Sequence, residues 1–393
     1  MSARRIIHGD ALERLRELDT NSAHGMVTDP PSGTGFMGKQ WDKNKGGRDA
    51  WVAWLGAIFT EARRVLVPGA YVLVWALPRT SHWTALALEA GGFEIRDSLH
   101  HVFGSGFPKS LDVSKAIDKA AGAEREVIGR RPTYRASAGA PGRPWQDRSD
   151  GNSTAPATDD AKRWQGFGTA LKPAHEVWWL ARAPLGESSI ARNVLEHGAG
   201  AVNVDGCRVG DEIRTNPPAA NKPGGSALQM SAIGMPSGAA ATTTAGRWPP
   251  NFLLSHDCDD ACRDGCPVGE LEAASRFFPV FKYAPKPSRA ERSAGLEGMN
   301  NHPTVKPAAL MRWLVRLVTP PDGVVLDPFT GSGTTAAACA LEGFGFVGIE
   351  QDAGYVEMAR RRVSHFERLA VMPSADVAMR GSQGQRGMFE GLA

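Results

Sequence analysis

Along the first hundred residues, short apolar runs alternate with segments whose apolar residues recur every three to four positions. The runs predict strands at residues 5–8, 25–28, 71–75 and 93–103. The periodic segments predict helices at residues 11–18, 51–67 and 81–90. Strands that alternate with helices are typical of a parallel sheet with helices on both faces.

The same alternation returns near the end of the chain. Strands are predicted at residues 323–326 and 345–350, and helices at residues 310–318, 334–342 and 353–369. Both ends of the chain therefore contribute to one expected fold. It is an α/β, Rossmann-like, doubly wound and mostly parallel sheet, interrupted by a long insertion.

Between these regions, glycine, proline, serine and alanine clusters dominate from residue 104 to residue 300. Such composition is typical of loops or partly disordered segments. More ordered islands are expected within it at residues 175–182, 251–254 and 276–281. The predicted divisions are a first half, a loop-rich insertion, a second half and a mobile tail, at residues 1–103, 104–275, 276–372 and 373–393.

Composition narrows the class of protein only a little. The 393 residues are 42% hydrophobic, enough to bury a core, and the net charge of +3 permits an anionic partner without requiring one. No apolar run approaches the roughly 20 residues of a membrane span, and the first residues lead into a predicted strand rather than a signal-peptide core. Five cysteines, an odd number, do not suggest a secreted disulfide framework. We expect a cytoplasmic protein.

A glycine motif follows the predicted strand at residues 323–326. Gly331-x-Gly333-x-x-Ala336 opens the next helix, and Glu350 ends the following strand. The glycines permit a tight turn close to a ligand, and the acid accepts hydrogen bonds from ribose hydroxyls. A Walker-type phosphate loop is disfavoured because no lysine follows the glycines. The motif fits a nucleoside cofactor. On this segment alone, NAD binding by an oxidoreductase and a turn with only a packing role stay open.

A second motif, Asp29-Pro30-Pro31, follows the predicted strand at residues 25–28. Ligands of an open parallel sheet bind at the carboxyl ends of its strands. The two prolines fix φ and remove N–H donors, so the local carbonyls are held stiffly. If Asp29 and the Pro30 carbonyl each accept a hydrogen of a base amine, its nitrogen can attack a methyl-bearing sulfonium without a covalent enzyme intermediate. The alternative is an ordinary turn at the end of a strand.

Three further stretches accompany these motifs: His8-Gly9-Asp10, Phe36-Met37-Gly38-Lys39-Gln40-Trp41-Asp42 and His302-Pro303-Thr304-Val305-Lys306-Pro307. All five in this order resemble the β-class DNA amino-methyltransferases, and among them the methylases of phage and prophage type. In that family an Asp-Pro-Pro motif comes first, a target-recognition region lies in the middle and the S-adenosylmethionine motif comes last. The resemblance covers residues 1–103 and 275–369.

The resemblance implies S-adenosylmethionine as the cofactor and a catalytic role for Asp29, Pro30, Pro31 and Ser32. The residues that it assigns to the cofactor are Asp10, Thr304, Lys306, Asp327, Phe329, Gly331, Gly333, Thr334 and Glu350. Among them the acid Glu350 would hold the ribose. The carboxylate of Asp10 would meet the cofactor adenine, and the cation of Lys306 would suit the methionine carboxylate.

The resemblance also implies double-stranded DNA as the substrate, methylated on the exocyclic amine of a base turned out of the duplex. Asp29 favours adenine, whereas cytosine-amine enzymes more often have serine there. The family's tyrosine after Pro-Pro is Ser32, which cannot stack on a base. Either Phe36, Trp41 or another aromatic residue supplies that surface, or the chain is a DNA-binding homologue without activity. The family often dimerises, so a homodimer and a cognate restriction nuclease are further partners to test.

The insertion is expected to read the DNA sequence. Arg130, Arg131 and Arg135, interspersed with aromatic residues, suit phosphate and base contacts. A solvated loop explains these arginines equally well.

A cysteine-rich stretch within the insertion raises a metal hypothesis. The stretch contains four soft or borderline ligands that suit zinc: His256, Cys258, Cys262 and Cys266. A zinc ion would hold together a segment that has little apolar core. The spacing is not a common paired Cys-x-x-Cys pattern, so thiols in a turn are the alternative.

Overall fold

The computed structural model describes residues 4–35, 38, 40–43, 45–104, 110–130, 152–216, 242–256, 258, 261–262, 266–282, 293–296, 302 and 305–371. Four residues with predicted roles lie outside these ranges: Phe36, Thr304, Arg131 and Arg135. The predicted tail at 373–393 also lies outside them.

The described residues form strands and helices that are numbered here in chain order. The strands are β1 Arg4–His8, β2 Ala23–Thr28, β3 Leu66–Ala76, β4 Glu94–Phe103, β5 Val127–Arg130, β6 Asn152–Thr154, β7 His175–Arg182, β8 Val209–Asn216, β9 Thr242–Arg247, β10 Phe252–His256, β11 Val280–Lys282, β12 Val324–Asp327 and β13 Gly345–Glu350. The α-helices are α1 Ala11–Arg16, α2 Arg48–Val65, α3 Ser81–Ala90, α4 Val113–Ala120, α5 Asp159–Arg163, α6 Ile190–His197, α7 Pro267–Glu270, α8 Ala308–Val318, α9 Thr334–Glu342 and α10 Ala353–Val371. Short 3-10 helices cover Gln40–Asp42, Asp205–Cys207 and Glu272–Phe277.

Nine of the described strands form one sheet in the order β1-β13-β12-β2-β3-β7-β4-β10-β11. Eight run in the same direction, and β7 alone is antiparallel to both of its neighbours, β3 and β4. This confirms the predicted α/β, mostly parallel sheet. Two of its strands, β7 and β10, come from the loop-rich range 104–275, where ordered islands were expected at 175–182 and 251–254.

Helices cover both faces of the sheet. Successive residues of each strand point to opposite sides, so each strand packs against both layers of helices. Met26 in β2 and Leu326 in β12 pack in a cluster with α1, α2 and α3. The next-door residues Val27 and Val325 pack in a second cluster with α8, α9 and α10. Burial on both faces explains why the strands are continuous apolar runs.

The boundary between α2 and β3 differs from the sequence prediction by several residues. The helix expected at 51–67 ends at Val65, and β3 begins at Leu66, so that Pro68 and Gly69 lie within the strand. A bulge in the pairing of β2 with β3 between Ala23 and Gly25 accommodates this stretch. Because a bulge permits irregular backbone inside a strand, the Pro-Gly pair does not mark a turn here.

The order of the strands creates a switch point between β12 and β2. From β12 the chain continues through α9 to β13 on one side, and from β2 it continues through α2 to β3 on the other. The carboxyl ends of two adjacent strands therefore diverge into helices on opposite faces. In open α/β sheets the crevice at such a point is where ligands bind.

The chain divides into two compact units, one of residues 1–105 with 175–393 and one of residues 106–174. The smaller unit contains α4, α5 and the β5–β6 pair, and it is shorter than the predicted insertion at 104–275. Within it, the buried Asp118 carboxylate accepts hydrogen bonds from Arg125 and Thr158. Among the described residues, no helix combines the length and apolar character needed to cross a membrane.

Candidate active site

The two sequence motifs meet at the switch point. Thr28, the last residue of β2, donates a hydrogen bond of 2.6 Å from its Oγ1 to Oδ1 of Asp327, the last residue of β12. Asp327 also accepts a hydrogen bond of 3.1 Å from the Phe329 N–H. Its side chain is buried, and burial raises its pKa to about 7 against the hydrogen bonds of Thr28, Thr335 and Phe329. Asp327 thus joins the two motifs through a carboxylate that neighbouring donors satisfy.

The glycine motif forms a tight turn between β12 and α9. Gly331 and Gly333 have φ values of 52° and 78°, in the left-handed region that favours glycine. A Cβ on Gly331 would lie 2.9 Å from the His302 ring, and one on Gly333 would lie 2.8 Å from the Cβ of Ala359. The turn therefore requires glycine at both positions for conformation and for space.

Glu350 ends β13 beside this turn. Its carboxylate accepts hydrogen bonds of 2.8 Å from the backbone N–H groups of Gly331 and Asp352, and burial raises its pKa. Asp10 follows β1, which pairs with β13, and its Oδ1 caps α1 by accepting from the Leu12 N–H at 2.9 Å. The two acids that are predicted to bind the ribose and the adenine of the cofactor therefore lie at the carboxyl ends of neighbouring strands.

Asp29 belongs to a charged cluster that the sequence motifs alone did not reveal. Its Oδ2 lies 3.3 Å from Nζ of Lys306, and the same Nζ lies 3.6 Å from Oε2 of Glu176 at the start of β7. The Lys306 ammonium also lies over the Trp75 ring, 4.0 Å from its centroid. One cation therefore serves two carboxylates, and the side chains of Asp29 and Glu176 are still 24% and 22% exposed.

The two carboxylates respond differently to this shared cation. Burial raises the pKa of Asp29 to about 6, Lys306 opposes the rise, and the negative charge of Glu176 adds to it. Burial also acts to raise the pKa of Glu176, but Lys306 and His101 outweigh it and lower that pKa to about 2. Near neutral pH the pair is mostly ionised, with Asp29 the carboxylate that takes a proton first.

The loop after Asp29 is held by the buried carboxylate of Asp42. Asp42 accepts hydrogen bonds from the backbone N–H and the hydroxyl of Ser32 and from the Gly33 N–H. The Ser32 carbonyl in turn accepts a hydrogen bond of 2.9 Å from Oγ1 of Thr80. This carboxylate fixes Ser32 in place. Sequence reasoning missed the role of Asp42, although the residue lies in the 36–42 stretch that resembles the family.

Aromatic rings line the same edge of the sheet. Phe329 follows Asp327 and contacts Trp54, with 6.1 Å between the ring centroids. Trp54 contacts Trp51, which in turn contacts Trp83. Trp41 is half-buried in the 3-10 helix that also carries Asp42. Aromatic rings therefore lie close to the Asp29 loop, where the fully buried Trp51 packs against Gly33.

This geometry can be compared with that of known proteins. A family model described as DNA methylase matches residues 151–361, more than half of the chain. The protein belongs to the DNA methylase family. These methylases are amino-methyltransferases of the N6-adenine or N4-cytosine type. The matched region contains Lys306, the glycine turn and Glu350, and Asp29 precedes it in the sequence.

Two curated relatives match this DNA methylase over short stretches. DNA adenine methyltransferase YhdJ of Escherichia coli (strain K12) is 40% identical over 74 residues, which are 18% of this chain and 25% of the relative. Type II methyltransferase M.HinfI of Haemophilus influenzae is 38% identical over 73 residues, which are 19% of this chain and 20% of the relative. The chain thus spans a quarter or less of the length of these relatives.

Solved structures resemble the methylase over most of its length. M1.HpyAVI in complex with SAM covers 91% of this chain and 98% of its own, with 18% identity and a TM-score of 0.41. PvuII DNA methyltransferase, titled cytosine-N4-specific, covers 92% of this chain and 86% of its own, with 15% identity and a TM-score of 0.46.

Arg362 is a second residue whose role sequence reasoning missed, and it stabilises the glycine turn of the methylase. Arg362 in α10 is fully buried and donates from Nη1 to the Ser332 carbonyl at 2.6 Å and to Oγ1 of Thr334 at 3.1 Å. Thr334, predicted to contact the cofactor, is itself buried at the start of α9. A basic residue in a helix 28 positions later carries no local sequence signal of this role.

The residues predicted to bind DNA are spread over both units of the methylase. Trp41 lies in the larger unit near the Asp29 loop. Arg130 ends β5 in the smaller unit, where it pairs with Asn152 of β6. Their predicted contacts with DNA stay predictions.

The structure brings the four predicted metal ligands together. The ligand atoms of His256, Cys258, Cys262 and Cys266 all lie within 4.8 Å of one another. These four residues, referred to below as the cysteine-histidine cluster, extend from the last residue of β10 to the residue before α7.

Proposed function

We propose that this methylase transfers a methyl group from S-adenosylmethionine to the exocyclic amine of an adenine turned out of double-stranded DNA. The observation that carries the proposal is the hydrogen bond between Thr28 and Asp327. It makes the carboxylate motif and the glycine turn neighbours at the switch point of the sheet, where ligands of such folds bind.

The glycine turn and its neighbours suit the cofactor. Its backbone is held at Gly331 and Gly333 in conformations that only glycine adopts readily, which keeps the turn between β12 and α9 tight, as in nucleoside-binding turns. Glu350 would hold the ribose, Asp10 the adenine, and the Phe329 ring would cover the nucleoside. When bound, S-adenosylmethionine supplies a methyl group on a positively charged sulfur. The buried Asp327 supports this turn from behind rather than facing solvent.

Asp29 and Pro30 would bind the target amine. The amine nitrogen is a poor nucleophile because its lone pair is delocalised into the base ring. A carboxylate and a carbonyl that accept its two hydrogens favour the charge that develops on the nitrogen, and no covalent intermediate is needed. Pro30 and Pro31 have no N–H that competes for these acceptors.

Lys306 and Glu176 would tune this carboxylate. The Lys306 cation, 3.3 Å away, stabilises the ionised form of Asp29 that accepts a hydrogen bond. Glu176 shares the same cation and opposes that effect. The family resemblance assigned Lys306 to the methionine carboxylate, and its position between two protein carboxylates gives it a second role, near the target amine.

Adenine is the favoured target for two reasons. The motif begins with Asp29 rather than serine, and the relative YhdJ is named a DNA adenine methyltransferase. Cytosine offers an exocyclic amine with the same two hydrogens, so it is the alternative that the assay distinguishes. The nicotinamide-dependent oxidoreductase considered from the glycine motif is replaced by membership of the DNA methylase family.

Target recognition would fall to residues outside the central sheet. The unit at 106–174 carries Arg130 and is inserted between β4 and β7. Arginines suit phosphate contacts and bidentate contacts with guanine. We propose this unit, together with Trp41 near the Asp29 loop, as the DNA-contacting part of the protein.

The test is transfer of tritium from labelled S-adenosylmethionine to unmethylated duplex DNA, followed by digestion and identification of the labelled nucleoside. We expect label in N6-methyladenine, its loss in Asp29→Asn and its retention in Asp49→Asn, which changes an exposed carboxylate. Label in N4-methylcytosine would overturn the choice of base. No label with any genomic DNA, despite cofactor binding, would overturn the activity.

The variant Ser32→Tyr tests whether another aromatic residue already supplies a surface on which the target base stacks. If Trp41 or another aromatic residue already supplies that surface, wild type is active and the tyrosine changes the rate little. A silent wild type that the tyrosine rescues would show that the missing ring had abolished activity.

A further inference from the structure

We propose that the cysteine-histidine cluster binds one structural zinc ion that holds the segment between β10 and β11. His256 is the last residue of β10, and Cys266 directly precedes α7. Together with Cys258 and Cys262, these two residues place four ligand atoms within 4.8 Å of one another. This proposal is independent of the methyl-transfer reaction.

The distances are close to those of a tetrahedral site. A zinc ion about 2.3 Å from each sulfur and about 2.0 Å from nitrogen would place neighbouring sulfurs about 3.8 Å apart and sulfur about 3.5 Å from nitrogen. Sγ of Cys262 and Nδ1 of His256 are 3.6 Å apart. The side chains therefore need only a small contraction to surround an ion.

The donor set favours zinc over other divalent cations. Three thiolates and one imidazole are soft or borderline ligands, whereas magnesium and calcium prefer oxygen. Four protein ligands complete a tetrahedral shell and leave no position for a reacting water. The site is therefore expected to be structural rather than catalytic.

Few side chains are buried among the described residues of the segment between β10 and β11. Among its described residues up to Phe278, only Cys258 and Cys266 are buried, with 4% and 7% exposure. Neither α7 nor the 3-10 helix Glu272–Phe277 buries a residue. A segment without an apolar core gains its folding free energy from a metal when ligands are available. The buried thiols are the groups that such a metal would bind.

The zinc ion would also determine where the 3-10 helix Glu272–Phe277 lies. Phe277 at its end is partly exposed, and two guanidinium groups lie over its ring, those of Arg247 at 4.9 Å and Arg276 at 5.2 Å. Arg247 belongs to β9 and is also paired with Glu212. Loss of the metal is expected to release this helix from its contact with the β8–β9 pair.

The experiment measures zinc in the full-length protein purified without an affinity tag. We expect about one zinc per chain by elemental analysis, as a four-ligand site predicts. Cys258→Ser and Cys266→Ser should reduce the zinc content at least about tenfold. Cys339→Ala is the matched control, because Cys339 is buried among alanines in α9, and it should keep its zinc.

A spectroscopic measurement on the wild type tests the proposal even if the cysteine variants do not fold. Wild-type protein reloaded with Co²⁺ should show thiolate-to-cobalt charge transfer and the intense ligand-field bands of a tetrahedral site. Removal of the metal by a chelator should expose residues 258–278 to limited proteolysis while the central sheet stays resistant. Wild type that holds far less than one zinc after incubation with zinc and gel filtration, or cobalt spectra without thiolate bands, would overturn the proposal.

Discussion

Thr28 and Asp327 are 299 positions apart in the sequence, and a hydrogen bond of 2.6 Å joins their side chains at the ends of adjacent strands. We expect Thr28→Val to destabilise the protein by about 1–3 kcal/mol, because it keeps the shape and removes a donor to a buried carboxylate. Denaturant unfolding would measure this, with Thr60→Val as the control. Thr60 donates only to a carbonyl of its own helix, so equal losses for both variants would contradict the proposed importance of the pair.

Asp327 should make stability depend on pH. Its folded-state pKa of about 7 lies above the value of about 3.9 in an unfolded chain, so the folded state binds more protons between these values. Its contribution is therefore fully present below about pH 4 and is lost as pH rises through about 7. Asp327→Asn should flatten the decline of unfolding free energy over this window. An unchanged slope in the variant would show that Asp327 is not the titrating group.

The charged cluster around Asp29 predicts opposite shifts of the pH–rate profile. In the proposed mechanism Asp29 accepts a hydrogen bond from the target amine most strongly when it is ionised, so the single-turnover rate should fall as pH drops through about 6. Lys306→Met removes a cation that lowers the Asp29 pKa and should move this fall to higher pH. Glu176→Gln removes a negative charge that raises it and should move the fall to lower pH. Lys306→Arg keeps the charge and serves as the control. Shifts of the same sign in both neutralised variants would refute this account.

Asp42 is expected to affect the rate more than the stability. Asp42→Asn keeps an oxygen for the N–H groups of Ser32 and Gly33, but it removes the negative charge and the second oxygen, which accepts the Ser32 hydroxyl, so the Asp29 loop should lose its fixed position. A displacement of about 1 Å near reacting groups can cost about 10²-fold in rate. Methyl transfer at saturating substrates measures the effect, and the exposed Asp19→Asn should leave the rate unchanged. A normal rate in Asp42→Asn would show that the loop does not need this carboxylate.

The glycine turn allows the cost of backbone conformation to be separated from the cost of space. Gly333 and Gly343 both have φ near 80°, but a Cβ on Gly333 would meet Ala359, whereas a Cβ on Gly343 would meet nothing within 4 Å. Gly343→Ala should therefore cost about 1–2 kcal/mol from conformation alone. Gly333→Ala should cost a further 1–3 kcal/mol, roughly, from overpacking. Equal losses in thermal or denaturant unfolding would mean that α10 moves aside freely.

Much of the fold could be predicted from local patterns. The helix at 334–342 and the strand at 345–350 coincide with α9 and β13, because small or apolar residues there are bounded by glycines. The position of β7 between β3 and β4, and its reversed direction, could not be predicted, since its pairing depends on strands about 70 to 110 residues earlier in the chain. Local periodicity carries no information on such pairing.

The candidate site, like the fold, could be predicted from the sequence only in part. Asp29 and Gly331 belong to motifs whose residue types suggest their chemistry. Glu176 and Arg362 act through contacts with residues far away in the sequence, and Asp42 acts through a loop that folds back over about ten residues. Their residue types are also common on protein surfaces. Their roles follow from burial and partners, which the structure provides.

The antiparallel pairing of β4 with β7 has one more consequence. Val102 and His175 face each other on one rung of the sheet, so the chain leaves for the unit at 106–174 and comes back at neighbouring points. A unit that is inserted between two neighbouring points of a sheet can be replaced by one of another length without shifting any strand. If the unit reads DNA as proposed, such an exchange changes the recognised sequence while the residues of the active site stay the same.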